Sequence, residues 1–168
     1  ARVKGGGQGS MDKIPMTQAG ADALRLELKR LTSTERPRIV KEISAALEQG
    51  DLRENAEFQY AKEEQGHIEG RISEIAAKLG AAQIIDVTEL PNTGKVIFGV
   101  TVTLLNVDTD ETVVYQIVGD DEADIKAQKI SIYSPVARSL IGKQVDDSVI
   151  IQIPSGQIEY EILSVEHL

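Results

Sequence analysis

The sequence predicts an α+β protein in two parts: an N-terminal antiparallel coiled-coil hairpin over residues 11–81, and a globular unit over residues 82–168 made of a twisted antiparallel sheet with one short helix. Three observations carry that reading. Phe58, Ala61, Gln65, Ile68, Ile72, Ile75 and Leu79 recur at alternating steps of three and four, which is a coiled-coil seam, and Leu24, Leu28, Leu31, Ile39, Ile43 and Ala46 form a less regular matching stripe. Between the stripes, Gly50-Asp51-Leu52-Arg53-Glu54-Asn55-Ala56-Glu57-Phe58 interrupts both patterns and gathers carboxylates where the chain must turn back. From Ala82 the hydrophobic period falls to two, and β-branched residues collect in short runs bounded by turn residues.

Taken in order, Ala1 to Ser10 are Gly-rich and precede a Met, so they are read as a cloning remnant outside the fold. The first helix opens near Thr17, whose hydroxyl can cap it, and runs through Leu31. Thr32-Ser33-Thr34-Glu35-Arg36-Pro37 then looks like a break, because an interior proline removes a backbone bond and clashes with the preceding turn, at about 3 kcal/mol. Apolar spacing resumes at Ile39 with little loss of phase, which favours one kinked helix over two abutting ones. Two helices joined by a short connection bury their stripes only by lying antiparallel. At about 25 to 32 residues each they would project roughly 40 to 50 Å, with an acidic tip at residues 50–57.

In the second part, strands are expected at Gln83–Val87, Val96–Asn106, Thr112–Gly119, Lys129–Tyr133, Ser148–Ile153 and Gln157–Val165. Asp108–Glu111 and Pro154–Gly156 are the turns of two antiparallel hairpins. Ser134 to Gly142 reads as a short helix, with Ser134 as cap, Pro135 in its first turn and Gly142 as its stop. Val100, Val102 and Leu104 are expected in the core.

The net charge of −9 lies wholly in the second half: residues 1–80 hold 13 Lys and Arg against 13 Asp and Glu, residues 81–168 hold 5 against 14. Such a surface lacks the basic footprint of autonomous DNA or RNA binding and suits docking to a basic protein patch, or simply keeps the unit soluble. The absence of Cys rules out disulfides and thiolate metal sites and fits a reducing cytoplasm. No apolar run approaches about 18 residues, so no membrane-spanning helix is expected.

Asp51 and Glu54 are three apart, so a helix starting there would place them on one face, with β-carbons about 5–6 Å apart. Two such carboxylates could hold one hard divalent cation, weakly, since Mg2+ wants six oxygens and needs a second ligand source. The same spacing resembles a capping box, with Asp51 as cap and Glu54 bonding back, and the spacing alone leaves both readings open. His67 and His167 have no metal-ligand partner nearby in sequence and read as surface or packing residues. Asp120 to Asp124 lacks the central Gly and distal Glu of a calcium loop, and Gly94-Lys95 lacks the glycine of a phosphate loop.

The run GDLRENAEFQYAKEEQGHIEGRI, Gly50 to Ile72, resembles the signature of the bacterial GreA/GreB family of transcript cleavage factors. Ile14-Pro15-Met16-Thr17, Ile84-Ile85-Asp86-Val87-Thr88, the stretch Val118 to Asp124 and Ser134-Pro135-Val136-Ala137-Arg138 resemble the family's other motifs, in the same order. The resemblance implies a coiled-coil hairpin followed by an FKBP-like domain without isomerase activity. It implies docking at the rim of the RNA polymerase secondary channel, with Asp120, Asp121, Glu122, Asp124, Ser134, Pro135 and Arg138 on the docking surface. It also implies that the hairpin reaches the 3′ end of the nascent RNA in a backtracked complex. There Asp51 and Glu54 would help to hold an Mg2+ shared with the polymerase and orient a water, so that the polymerase cuts its own transcript and the factor itself is no enzyme. Lys41 and Lys62 match a basic patch facing RNA, or else pair with acids of their own helices. Arg53 would steady a transcript phosphate or remain solvated, Asn55 would orient Glu54 or satisfy the turn, and Leu52 would pack under the tip or touch polymerase. The acidic balance argues against the basic GreB branch, and the Asp-Leu-Arg-Glu-Asn order against a paralogue that inserts the same rod to inhibit synthesis. A capped interaction module is a further rival. A prolyl isomerase is disfavoured, since Phe98, Tyr115, Tyr133 and Tyr160 are the only aromatics available to line its pocket.

Overall fold

The computed structural model describes residues 13–50 and 55–168, which divide into two compact units. One is Ala21–Ala82. The other combines Gln83–Leu168 with the chain up to Gly20.

The first unit is helical. Helix α1 (Gln18–Arg30) passes through a π-helical turn (Leu31–Glu35) into α2 (Arg36–Leu47), and α3 (Ala56–Ala81) returns. Thr17 caps α1, its hydroxyl accepting from Gly20 N at 3.0 Å. The continuous helix expected around Pro37 is present, and the π turn explains how it passes the expected break. The apolar step from Leu31 to Ile39 is eight residues where a coiled coil wants seven, and one wide turn absorbs the extra residue. Arg36 N reaches back to Leu31 O, and Pro37, which has no N–H to give, follows directly after this wide turn. The Thr32 hydroxyl donates to Leu28 O at 2.9 Å and that of Ser33 to Lys29 O, supplying donors where the ladder is displaced.

Leu31, Ile39, Ala61, Ile68 and Ile75 are buried along the seam, with Leu24, Leu28, Ile43, Ile72 and Leu79 packed against them. Ile39 and Ile75 are fully enclosed, each contributing about 1.5–3 kcal/mol by burial. Three arginines fix the register across the seam. Arg71 forks onto Glu27 with both bonds at 2.7 Å, Arg36 onto Glu69 with both at 2.8 Å, and Arg38 reaches Glu64 at 2.7 Å. Positions 27, 36 and 38 of the outgoing helices thus face 71, 69 and 64 of α3, numbers that fall as the first set rises, which is the antiparallel pairing. Such half-exposed pairs add little energy, but planar forks specify alignment.

These pairs also set a pH response. Hydrogen bonds from Arg71 to Glu27 and from Arg36 to Glu69 hold both carboxyls below the usual range, and Arg71 with Lys78 does the same for Glu74. Lowered folded-state values stabilise the folded form above the ordinary glutamate pKa, and that contribution is lost as pH falls through the lowered values. Hairpin stability is therefore expected to be flat above about pH 5 and to decline below about pH 4.3. The urea midpoint of the helical signal checks this: an equal midpoint at about pH 3 and about pH 7 contradicts the assignment.

In the second unit, β1 (Ile14–Thr17) pairs with β2 (Ala82–Ile85) as a separate two-stranded sheet. This pairing is why the chain up to Gly20 groups with the globular unit rather than with the hairpin expected from residue 11. The main sheet takes β3 (Thr101–Asn106), β4 (Thr112–Val118), β5 (Lys129–Ser131), β6 (Ser148–Ile153) and β7 (Gly156–Glu166) in the order β5-β4-β3-β7-β6. The two expected hairpins, β3–β4 and β6–β7, are antiparallel, as is β3–β7; edge strand β5 runs parallel to β4. That parallel edge departs from the all-antiparallel expectation, because two 3-10 turns, Asp120–Glu122 and Ile125–Ala127, carry the chain back before β5 begins.

The strand expected at Val96–Asn106 starts only at Thr101. Gly99 has φ +92°, and a β-carbon there would lie 2.5 Å from Val87 Cγ1, so the backbone turns close over Val87 while Val96 and Val100 are buried from a loop. Val100, Val102 and Leu104 are fully buried as expected, among Ile117, Leu140, Ile151 and Ile162. Helix α4 (Pro135–Leu140) is capped by Ser134, whose Oγ accepts from Ala137 N at 3.2 Å, and Gly142 follows at φ +88°. No helix among the described residues is long and apolar enough to cross a membrane.

Candidate functional site at the hairpin tip

Helix α2 ends at Leu47, and α3 opens at Ala56. The connection between them holds Asp51, Leu52, Arg53 and Glu54, all four outside the described residues. The expectations placed on them, including the Mg2+ ligands, concern residues whose placement is not described. The cap that the Asp51-x-x-Glu54 spacing suggested is made four residues later: Asn55 is extended, at φ −84° and ψ 101°, and its Oδ1 accepts from Phe58 N at 3.1 Å. Asn caps a helix as well as Asp does, so the opening of α3 does not call on the Asp51 carboxylate.

The other end of the same side chain crosses the hairpin. Asn55 Nδ2 donates to Ala46 O at 2.8 Å, a carbonyl in the last turn of α2. Gln49 N donates to the same oxygen at 3.1 Å, so both its lone pairs are used. One amide thus satisfies an orphan donor of α3 and bridges to the last turn of α2.

Lys41 and Lys62 are exposed on α2 and α3. Lys62 Nζ donates to Gln65 at 3.1 Å, and among the described residues neither lysine makes an ion pair. The same-helix pairing considered for them is ruled out by the sequence, since the residues three and four away are Pro37, Arg38, Ser44 and Ala45 for Lys41, and Phe58, Gln59, Gln65 and Gly66 for Lys62. Arg38, by contrast, is saturated by Glu35, Glu42 and Glu64. A groove of about 510 Å³ beside the tip is walled by Glu42, Ala45, Glu57 and Tyr60, with Tyr60 72% exposed.

Among the residues expected at a docking surface, Asp120, Asp121, Asp124, Pro135 and Arg138 are exposed. The Asp124 carboxylate accepts from Lys126 N at 3.1 Å, and Ser134 donates to Ser131 O at 2.7 Å besides capping α4. Glu122 is engaged within its unit. Its Oε2 accepts from Thr17 N and Gly119 N, each at 3.0 Å, and its Oε1 from the Thr17 hydroxyl. A β-carbon at Gly20 would fall 2.4 Å from that carboxyl and one at Gly119 2.8 Å, so both glycines make room for it. Nothing in the spacing of Thr17 and Glu122, 105 residues apart, announces this bond.

His67 is exposed, and His167 Nδ1 lies 2.8 Å from Val87 O. Among the described residues no three His, Cys, Asp or Glu side chains gather as a metal site would require. Of the aromatics considered for an isomerase pocket, Tyr160 belongs to the core, Phe98 and Tyr115 pack against it, and Tyr133 is 55% exposed.

Comparison with known proteins covers both units. The family described as "Transcription elongation factor, GreA/GreB, C-term" matches residues 90–167, and "Transcription elongation factor, N-terminal" of the same pair matches residues 14–84. The transcription elongation factor GreA of Pasteurella multocida is 60% identical over 94% of this chain and 99% of its own. That of Pseudomonas aeruginosa is 58% identical over 94% of this chain and 100% of its own. Among solved structures, the GreA factor homolog 1 protein of Thermus thermophilus is 27% identical, covers 92% of this chain and 99% of that chain, and has a TM-score of 0.41.

Proposed function

We propose, from the premise that this chain belongs to the GreA/GreB family of transcription elongation factors, that it binds RNA polymerase at the secondary channel and stimulates cleavage of the 3′ end of backtracked transcripts. The observation that carries this reading is the position of Asp51 and Glu54. They lie in the short connection between two antiparallel helices whose last and first turns are tied together by Asn55. A narrow two-helix rod can enter a channel that a globular unit cannot, and its turn is the part that arrives first.

The donor set fits a hard cation. Two carboxylates are oxygen ligands of the kind Mg2+ takes, and too few to hold it without a second protein's ligands. Bound between the factor and the polymerase, Mg2+ would supply Lewis-acid activation of water and stabilise the leaving oxygen. The chain's own residues bring two negative charges to that position, while the seam and its arginine forks hold the two helices in register. Lys41 and Lys62, without carboxylate partners among the described residues, offer positive charge to transcript phosphates, and Arg53 sits between the two acids in sequence. The exposed acids Asp120, Asp121 and Asp124, with Pro135 and Arg138, suit a basic patch at the channel rim. The polymerase performs the cleavage, and the factor contributes ligands and position.

The test is release of short 3′ fragments from purified backtracked elongation complexes with and without the chain. Accelerated release with a fresh extendable 3′ end is expected. Occupancy of the polymerase with slowed synthesis and no fragments would overturn the cleavage reading.

A further inference from the structure

We propose that the free edge of strand β6 (Ser148–Ile153) is a docking site for an extended basic segment of a partner protein, which adds to the five-stranded sheet as a further strand. The proposal is independent of the cleavage reading, because every residue it uses lies in the globular unit. The order β5-β4-β3-β7-β6 leaves two edges, and the chain treats them differently. Strand β5 has three residues, opens on Lys129 and is itself bonded by Asp124, whose N–H donates to Lys129 O at 2.9 Å and whose carbonyl accepts from Lys129 N at 3.0 Å. A short, charged and covered edge of this kind does not take another strand. Strand β6 has none of these protections. Ser148-Val149-Ile150-Ile151-Gln152-Ile153 carries no charge and no proline, and among the described residues its backbone bonds only to β7.

The hydrogen-bond phase decides which groups are open. Glu159 stands opposite Ile150, and its carbonyl accepts from Val107 N at 3.0 Å, on the side of β7 away from β6. At the far end of the pair Ile162 N donates to Asp147 O at 2.9 Å. Antiparallel pairs alternate between bonded and non-bonded, so Val149, Ile151 and Ile153 turn their backbone groups to β7 while Ser148, Ile150 and Gln152 turn theirs outward. Val149 and Ile151 are buried in the core, so the strand is anchored before any partner arrives, whereas Ile150 is 59% exposed on the other face.

Charge selects the occupant. Residues directly opposite share a face, so Glu159 beside Ile150 and Glu161 beside Ser148 lie on the outer face, and among the described residues neither makes an ion pair. Asp146 and Asp147 precede the strand and Pro154 follows it, which bounds the open length. A second copy of the chain would bring the same acids to the same place, with a net charge of −9 on each copy, and repulsion disfavours it. A segment with apolar residues on one face and Lys or Arg on the other instead continues the apolar face beside Val149 and Ile151. Its cations reach over the small Ser148 toward Glu161, since strands about 4.8 Å apart make that span about 10 Å, within the joint reach of a Lys and a Glu side chain. Main-chain bonds supply the affinity and the acids supply the choice of partner.

The probe is a synthetic peptide alternating Val and Lys, titrated into the intact chain with backbone amide shifts as the readout. Shifts are expected to concentrate on β6, with slowed amide exchange at Ser148, Ile150 and Gln152. A peptide alternating Val and Glu should bind at least about tenfold more weakly. Methylating the backbone nitrogens of every Lys in one peptide, and of every Val in another, blocks opposite edges of the added strand. One of these two is expected to lose at least about tenfold in affinity while the other keeps it. Ile150→Pro removes an outward N–H at an edge position, where proline is tolerated, and should abolish binding with melting near the parent's. Glu159→Gln combined with Glu161→Gln should weaken binding by about 3- to 10-fold. The methylated peptides carry the test on the parent chain if the proline variant fails to fold. No shift on β6 at millimolar peptide, equal binding of the Val–Lys and Val–Glu peptides, or full binding by both methylated peptides would overturn the proposal. So would a dimer of the parent chain that Ile150→Pro dissolves, since the edge would then belong to a second copy.

Discussion

Replacing Asp51 by Asn is expected to leave the protein folded and able to occupy RNA polymerase, while release of 3′ fragments falls by about 100-fold or more. The magnitude follows from what a ligand does. Partners that merely hydrogen-bond to metal ligands cost about 10–100-fold when removed, so the loss of a direct anionic ligand should be at least as severe. Asn retains the shape and one carbonyl oxygen of Asp but not its charge, and a neutral amide is a poorer donor to a hard cation. The expectation of an unchanged fold comes from α3 itself, whose first turn is capped by Asn55. Fragment release from backtracked complexes, read beside far-ultraviolet circular dichroism of the same preparations, is the measurement. An Asp51→Asn chain that cleaves as well as its parent would remove the catalytic assignment and leave the capped interaction module as the better account of the tip.

The second large effect is structural. Ile75→Ala is expected to destabilise the hairpin by about 2–5 kcal/mol, the range for emptying a fully buried aliphatic site. Ile75 is 0% exposed, opposite a stripe in which Ile39 is equally enclosed. A two-helix unit has few such residues to share the loss, so this cost is a large fraction of what holds it together. Leu26, of similar size but 71% exposed on α1, serves as the contrast: Leu26→Ala should change stability by under about 0.5 kcal/mol. Urea unfolding followed by helical signal, with amide exchange to report each unit, distinguishes the two. Equal midpoints for Ile75→Ala and Leu26→Ala would mean that the seam does not carry the hairpin's stability.

Much of the seam was legible because a coiled coil is a local code. Each helix must place an apolar residue every three or four positions to cover one face, so Ile68, Ile75, Leu31 and Ile39 could be read off one by one. The eight-residue step from Leu31 to Ile39 carried the π turn in the same code, although a proline two residues before Ile39 drew attention as a break. The cap of α4 was equally local, since Ser134, Pro135 and Gly142 act on their own backbone. At the tip, residue types suggested carboxylate chemistry at Asp51 and Glu54, which lie outside the described residues. Spacing alone did not decide which residue caps α3, because Asp51 and Asn55 are both good caps and only the course of the chain selects between them.

The sequence by itself determined the two-part division, the seam, most strands and the pairing of β3 with β4 and β6 with β7, since all of these follow from periodicity and turn residues acting over a few positions. Tertiary structure decided what depends on distant partners. Glu122 was read as an outward acid and is cradled by Thr17, Gly20 and Gly119. The run from Val96 to Val100, β-branched and apolar, is a loop because the chain at Gly99 must pass close over Val87. Strand β5 lies parallel to β4 because two 3-10 turns bring it back on the same heading. The bond from Asn55 to Ala46 belongs to the same class. A hydrogen bond across a fold is set by where two backbones meet, and no pattern within either segment encodes that meeting.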